Sequence, residues 1–156
     1  MRALRFIDDR IERIAPVATQ FHFSNCGGFW VKREGEERVP IGSFGEGIWR
    51  LLALSVGLAR AKGSILLVDE IDTGLHYSVM ESVWKFIVET SRAFDVQVFA
   101  TTHSYDCVYS LARVCRDVDD SQSDISVHRI EAEMTKSIPF TEGDLKIAAE
   151  REIEIR

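Results

Sequence analysis

Apolar positions along the chain change their spacing several times, and each change predicts an element. Leu4, Ile7, Ile11 and Ile14 recur every three or four residues, the period of a short amphipathic helix over 4–14. The end of that segment, near Ile14, reads equally well as the start of a strand. Phe29-Trp30-Val31-Lys32-Arg33 and Arg38-Val39-Pro40-Ile41 flank the polar turn Glu34-Gly35-Glu36-Glu37, which predicts a β-hairpin. Gly42 to Gly47 is a glycine-rich loop. Beyond it Ile48, Leu51, Leu52, Ser55, Leu58 and Ala59 fall at helical spacing, and Leu54 and Val56 make that helix apolar nearly all round, as in a buried helix.

Lys62-Gly63 ends that helix. Ile65-Leu66-Leu67-Val68 then forms an uninterrupted apolar run, the pattern of a parallel strand buried on both faces. A helix over 78–93, with Val79, Val83, Phe86, Ile87 and Thr90 on one face, leads to a second short strand over 96–100. A third helix spans about 105–116, and the acidic stretch 117–124 reads as a loop. A strand over 125–130 pairs with 134–140, and a final helix over 141–149 has Thr141 as its N-cap. Strand–helix–strand–helix in the middle implies parallel strands and an α/β class: a mainly parallel sheet flanked by helices, with small β-hairpins.

Composition narrows the class without naming a function. With 156 residues, 46% hydrophobic and 28% charged, the chain suits one globular domain with its own core. Within 1–156 the pattern divides into a lead-in helix and hairpin (1–42), a central part (43–116) and a C-terminal hairpin and helix (117–156). The net charge of −6 gives no sign of a broadly basic face for nucleic acid, leaving room only for a local patch. Cys26, Cys107 and Cys115 are odd in number and fit no C-x-x-C pattern, so they read as reduced thiols. No apolar run approaches the roughly 20 residues of a bilayer span, and acids follow Met1-Arg2-Ala3-Leu4-Arg5 too soon for a signal peptide. The expectation is a soluble, cytoplasmic protein.

Four segments carry candidate chemistry. Asp69-Glu70 stands at the carboxyl end of the first apolar strand, where open α/β sheets bind ligands. Gly42-Ser43-Phe44-Gly45-Glu46-Gly47 opens a helix, whose N-terminal amides suit phosphate oxygens. A plain helix cap by Ser43 is the simpler reading of that loop. Asp72-Thr73-Gly74-Leu75-His76 leans structural on its own, Asp72 serving a turn and His76 a helix start. His103 follows the second strand across Thr101-Thr102, and neighbouring strand ends would bring it near Glu70.

In that order the set resembles the C-terminal half of ABC-type ATPase heads. It most resembles the ABC-like AAA-type ATPases grouped with the overcoming-lysogenization-defect proteins and abortive-infection ATPases. Ser43-Phe44-Gly45-Glu46-Gly47 looks like the signature motif, Asp69-Glu70 like Walker B, Asp72 to His76 like the D-loop and His103 like the switch histidine. The ending Glu154-Ile155-Arg156 is also similar to that family's tail. The resemblance implies ATP and Mg²⁺ as cofactors, with Asp69 positioning the metal and Glu70 the attacking water. His103 would contact the γ-phosphate. Ser43, Gly45, Glu46 and Gly47, with Asp72, would serve nucleotide across an interface between two heads.

One departure matters. No G-x-x-x-x-G-K-[ST] occurs, and no glycine is followed directly by lysine. The resemblance therefore implies a half-head, truncated or encoded apart from its first half, that needs a P-loop-bearing N-terminal segment or partner chain and pairs head to head as a homo-oligomer. By itself such a chain would be inactive. Two other classes stay open at the level of sequence: a metal-dependent nuclease using Asp69, Glu70 and Asp72, and a degenerate, non-catalytic interaction module.

Overall fold

The computed structural model describes residues 8–16, 28–117, 124–151 and 153. In chain order the described elements are β1 (Ile11–Pro16), β2 (Phe29–Arg33), β3 (Val39–Pro40), α1 (Glu46–Arg60), β4 (Ile65–Val68), α2 (Tyr77–Phe94), β5 (Gln97–Ala100), α3 (Tyr105–Asp117), β6 (Ser126–Arg129), β7 (Ile138–Thr141) and α4 (Glu142–Arg151).

The first element corrects the expected helix. Residues 4–7 lie outside the described residues, and Ile11–Pro16 is a strand paired antiparallel with β2. Its register shifts between Ile11, opposite Arg33, and Arg13, opposite Lys32. Glu12 is the extra residue of a β-bulge, so Glu12 and Arg13 both stay exposed while Ile11 and Ile14 both pack on the core. A bulged strand thus reproduces the three-residue apolar spacing of a helix. The hairpin of β2 and β3 forms as its sequence predicts, with Val31 opposite Val39 and Gly35 at φ +70° in the turn. At the start of β1, Arg10 contacts Asp8 at 2.9 Å and Glu36 at 3.1 Å, and its guanidinium holds the Asp8 carboxyl down to about 2.

The centre is a parallel pair, β4 beside β5, with Ile65 opposite Gln97 and Val68 opposite Ala100. Side chains alternate across a strand, so Leu66, Val68 and Val98 face the core. A Cβ on Gly57 of α1 would lie 3.3 Å from Leu66 Cδ1, so the missing side chain lets helix and strand approach closely. The other face is open. Ile65 is 56% exposed, Leu67 75% and Phe99 52%. The expected burial on both faces is therefore corrected to burial on one, because the described helices cover only that side. The all-round apolar α1 is corrected for the same reason: Ile48, Leu51, Leu54 and Leu58 are buried, but Val56 and Trp49 are exposed.

Helix α1 packs against α2, α2 against α3, and α3 against α4, and one core runs from Ile11 and Val31 through to Leu145 and Ala149. On α2, Val83 and Ile87 are buried together with Met80 and Trp84. The buried indole of Trp84 donates to the Cys107 carbonyl at 2.9 Å, which satisfies its one polar atom. Cys107 and Cys115 are free and buried, and burial pushes their thiols up to about 11 and about 12, leaving them protonated and unreactive near neutral pH. Cys26 lies outside the described residues.

The C-terminal part follows its pattern. Strands β6 and β7 pair antiparallel, with Val127 opposite Phe140. Thr141 Oγ1 accepts from the Asp144 amide at 3.3 Å, and Asp144 Oδ2 accepts from the Thr141 amide at 2.8 Å. This is a reciprocal cap on α4, and the Thr141 hydroxyl, donating to Asp144 Oδ2 at 2.6 Å, together with the Thr141 amide holds the Asp144 carboxyl below its ordinary range. Most of the expected acidic loop, 118–123, and the Glu154-Ile155-Arg156 ending lie outside the described residues. Among the described residues no helix is long and apolar enough to cross a membrane.

Candidate functional site

Parallel pairing of β4 with β5 makes both strands release their chains at the same edge. Val68 lies opposite Ala100, so Asp69-Glu70 and Thr101-Thr102-His103 leave side by side. The pairing continues past the strands: the Thr101 amide donates to Val68 O and the Ile71 amide to Thr101 O, both at 3.0 Å. Thr101 then ties the two acids together. Its hydroxyl donates to Asp69 Oδ1 at 2.5 Å and accepts from the Glu70 amide at 2.9 Å.

Glu70 sits at φ +45°, in the left-handed region that a residue with a Cβ rarely occupies. Such a backbone costs about 1–3 kcal/mol and persists only where neighbours over-determine it. Here they do. Arg50 of α1 donates from Nη2 to the carbonyls of Asp69 and Glu70, 2.6 Å each, and the Thr73 hydroxyl donates to Glu70 Oε2 at 3.1 Å. Both residues are exposed, so the strained turn presents two acids to solvent at the ends of the paired strands.

The segment after the acids joins the same cluster. Asp72 Oδ1 accepts from the Thr102 hydroxyl at 2.5 Å, and Thr102 Oγ1 accepts from the Ser104 amide at 3.0 Å. Gly74, at φ +76°, lies against Glu46: a Cβ there would come within 3.4 Å of Glu46 Cβ. The turn after Asp72 therefore touches the first residue of α1. His76 has the structural role its position suggests. Its Nδ1 accepts from the Ser78 amide at 3.3 Å, capping α2, and its ring lies 4.3 Å from that of Tyr77. His103 is exposed, and its side chain makes no hydrogen bond to a described residue.

The glycine loop settles the competing reading of Ser43. Ile41–Phe44 is a short 3₁₀ turn, and the N-cap of α1 is Gly45, at φ +81°, with no side-chain capping bond. Ser43 is thus not the helix cap that the simpler reading expected; Ser43, Gly45 and Glu46 are exposed and Gly47 partly so. The Arg33 guanidinium lies 5.1 Å from the Phe44 ring centre, fixing the loop to the hairpin. Ser43→Ala is expected to change stability by less than about 0.5 kcal/mol in urea unfolding, as for a surface position. A loss of about 1 kcal/mol, the ordinary cost of removing a cap, would show that the hydroxyl caps after all.

Among the described residues no three His, Cys, Asp or Glu side chains converge on one point. Asp69, Glu70 and Asp72 instead bind three different hydroxyls, those of Thr101, Thr73 and Thr102. That donor set does not fit a three-carboxylate metal centre. It does fit Mg²⁺ held by one or two carboxylate oxygens, with its other ligands supplied by water and substrate phosphate.

Sequence reasoning named the acids and the histidine but assigned nothing to Thr101, Thr102, Thr73 or Arg50. The Thr-Thr pair beside a strand end was visible. Arg50 left no signal, because its partners are backbone carbonyls 19 and 20 residues away.

Comparisons with known proteins bear on the family and the fold. Residues 2–106 match the family model described as "AAA domain, putative AbiEii toxin, Type IV TA system". An ATP/GTP phosphatase of Helicobacter pylori is 30% identical over 87 residues, which is 54% of this chain and 24% of that protein, so the chain spans only about a quarter of the relative's length. A solved chain from "Structural biochemistry of ATP-driven dimerization and DNA stimulated activation of SMC ATPases" has the same fold, with a TM-score of 0.56 at 17% identity over 100% of this chain and 96% of that one. The family match covers two-thirds of the sequence and includes the glycine loop, the acid pair and His103, so the chain belongs to this AAA-domain family.

Proposed function

We propose that this chain is the acid-bearing half of an ABC-like ATPase head, and that it hydrolyses ATP once a P-loop-bearing segment and a second head complete the site. The observation that carries this reading is the Thr101 hydroxyl, which joins Asp69 and Glu70 to the segment that ends in His103. Phosphoryl transfer needs little covalent chemistry from the protein and depends on positioned charge. A strained, multiply anchored acid pair provides that positioning.

In this mechanism Asp69, oriented by Thr101, would hold Mg²⁺, which when bound would supply positive charge to offset that of the phosphates. Glu70, oriented by Thr73, accepts the proton of the attacking water as the water's oxygen bonds to the γ-phosphorus and the bond to the ADP oxygen breaks. His103 donates to the γ-phosphate and registers its departure. Ser43, Gly45, Glu46 and Gly47 close on nucleotide held by the opposite head, and Asp72 couples that closure to the acids through Thr102.

The sequence contains no G-x-x-x-x-G-K-[ST], so the phosphate cradle must come from another segment. The open face of β4 and β5, with Ile65, Leu67 and Phe99, is where that segment would complete the sheet layer. The phosphatase name of the Helicobacter pylori relative and the ATP-driven dimerisation named for the SMC neighbour both support the reading. A nuclease is disfavoured, since the three acids point to separate partners.

Reconstitution tests the proposal. The chain alone should bind ATP weakly and release no phosphate above background. Mixed with a P-loop-bearing N-terminal half, it should gain Mg²⁺-dependent hydrolysis and form ATP-dependent dimers in sedimentation. Turnover by the pure chain alone, or none in the completed head, would sink it.

A further inference from the structure

The outer face of the β1–β2–β3 sheet holds a groove of about 580 Å³ lined by Glu12, Arg13, Ala15, Trp30, Lys32 and Arg38. Strand register orders these side chains into two rows. Arg13 lies opposite Lys32, and Arg38, immediately before β3, is set next to Lys32 by the pairing of Val31 with Val39. Ala15, Trp30 and Pro40 form the neighbouring row. A line of three cations therefore runs next to an apolar line with an indole at its centre. The bulge at Glu12 is what turns Arg13 to this face.

The charges on this face are not balanced. Lys32 pairs with Glu12 at 2.8 Å, but Arg13 and Arg38 have no ion pair with a described residue. The nearby arginines differ: Arg10 and Arg33 both reach Asp8 and Glu36. Like charges facing one another across strands destabilise a sheet, so folding alone gives no reason for the row. It is also a concentration of positive charge in a chain whose net charge is −6.

We propose that this groove binds single-stranded nucleic acid, with Arg13, Lys32 and Arg38 on successive phosphates and an unpaired base stacked on Trp30. Two strand spacings separate the outer cations, about 10 Å, the reach of two or three phosphates. A duplex keeps its bases paired and offers none to the indole. Among the described lining residues the cations are taken up by phosphates and the indole offers a stacking face to any base, so recognition rests on backbone charge and stacking. DNA and RNA single strands should bind alike and with little sequence preference.

The test is fluorescence anisotropy of the 156-residue chain with labelled single-stranded DNA, single-stranded RNA and duplex DNA over a salt series. Anionic lipid vesicles are tested beside them by co-sedimentation. Both single strands should bind within a few-fold of each other and more tightly than the duplex. The double variant Arg13→Gln, Arg38→Gln should weaken both and flatten the salt slope by about 1.4, roughly 0.7 for each lost phosphate contact. Trp30→Ala should weaken binding roughly 5- to 150-fold, whereas Trp30→Phe, which keeps a stacking face and the packing of the sheet, should stay close to wild type. The proposal is overturned by the absence of saturable oligonucleotide binding, by duplex binding as tight as single-strand binding, or by an unchanged salt slope in the double variant. Binding to vesicles in preference to oligonucleotides would overturn it too, and would assign the groove to a membrane surface. None of these readouts involves ATP turnover, so the result is independent of the ATPase proposal.

Discussion

Glu70→Gln in the reconstituted ATPase is expected to lower hydrolysis by about 10²- to 10⁴-fold while ATP affinity changes no more than a few-fold. The amide keeps the size of the side chain and one acceptor oxygen, so the Thr73 hydroxyl retains a partner. The backbone anchors to Arg50 and Thr101 do not involve the carboxylate and should keep the strained turn in place. Only the capacity to take a proton from water is lost. Phosphate release at saturating ATP measures the rate, and calorimetry with the completed head measures binding. A variant that turned over at the wild-type rate would show that Glu70 is not the base. If binding and turnover fell together, the variant would have disturbed the turn instead. Asp69→Asn should differ, reducing the Mg²⁺ dependence along with the rate.

Leu67→Glu is expected to abolish reconstitution while leaving the chain's own stability within about 1 kcal/mol of wild type. Leu67 is 75% exposed, so in the isolated chain the substitution removes little buried surface. Were β4 covered by a P-loop-bearing segment, the same position would become interior. Burying a leucine contributes about 1.5–3 kcal/mol, and an unpaired carboxylate there would add a desolvation cost. Urea unfolding of the isolated chain and sedimentation of the mixture separate the two effects. Normal assembly by Leu67→Glu would mean that the partner docks elsewhere. A large loss of stability in the isolated chain would mean that the face is covered within this chain.

Much of the candidate site was legible because its chemistry is carried by short contiguous motifs. Asp69-Glu70 announces itself by following four apolar residues, and His103 by following a second strand of the same kind. The threonines and Arg50 that hold the acids were not legible, since their partners are set by strand register and helix placement. Ser43 shows the limit from the other side. A serine ahead of a helix looks like a cap, yet the 3₁₀ turn puts Gly45 in that position instead.

The sequence by itself determined the α/β class, the order of strands and helices from Phe29 onward, the capped helix after Thr141, and which acids stand at a sheet edge. These follow from local period and turn chemistry, which neighbouring residues decide among themselves. Tertiary structure alone decided three things. Among the described residues helices cover only one face of β4 and β5, so an apolar run that reads as wholly buried leaves Leu67 in the open. A single bulge turns Ile11 and Ile14 to one side, so a strand carries the spacing of a helix. The pairing of Val68 with Ala100 brings together acids and threonines about thirty residues apart, a contact that no local pattern encodes because it depends on how two strands align in space.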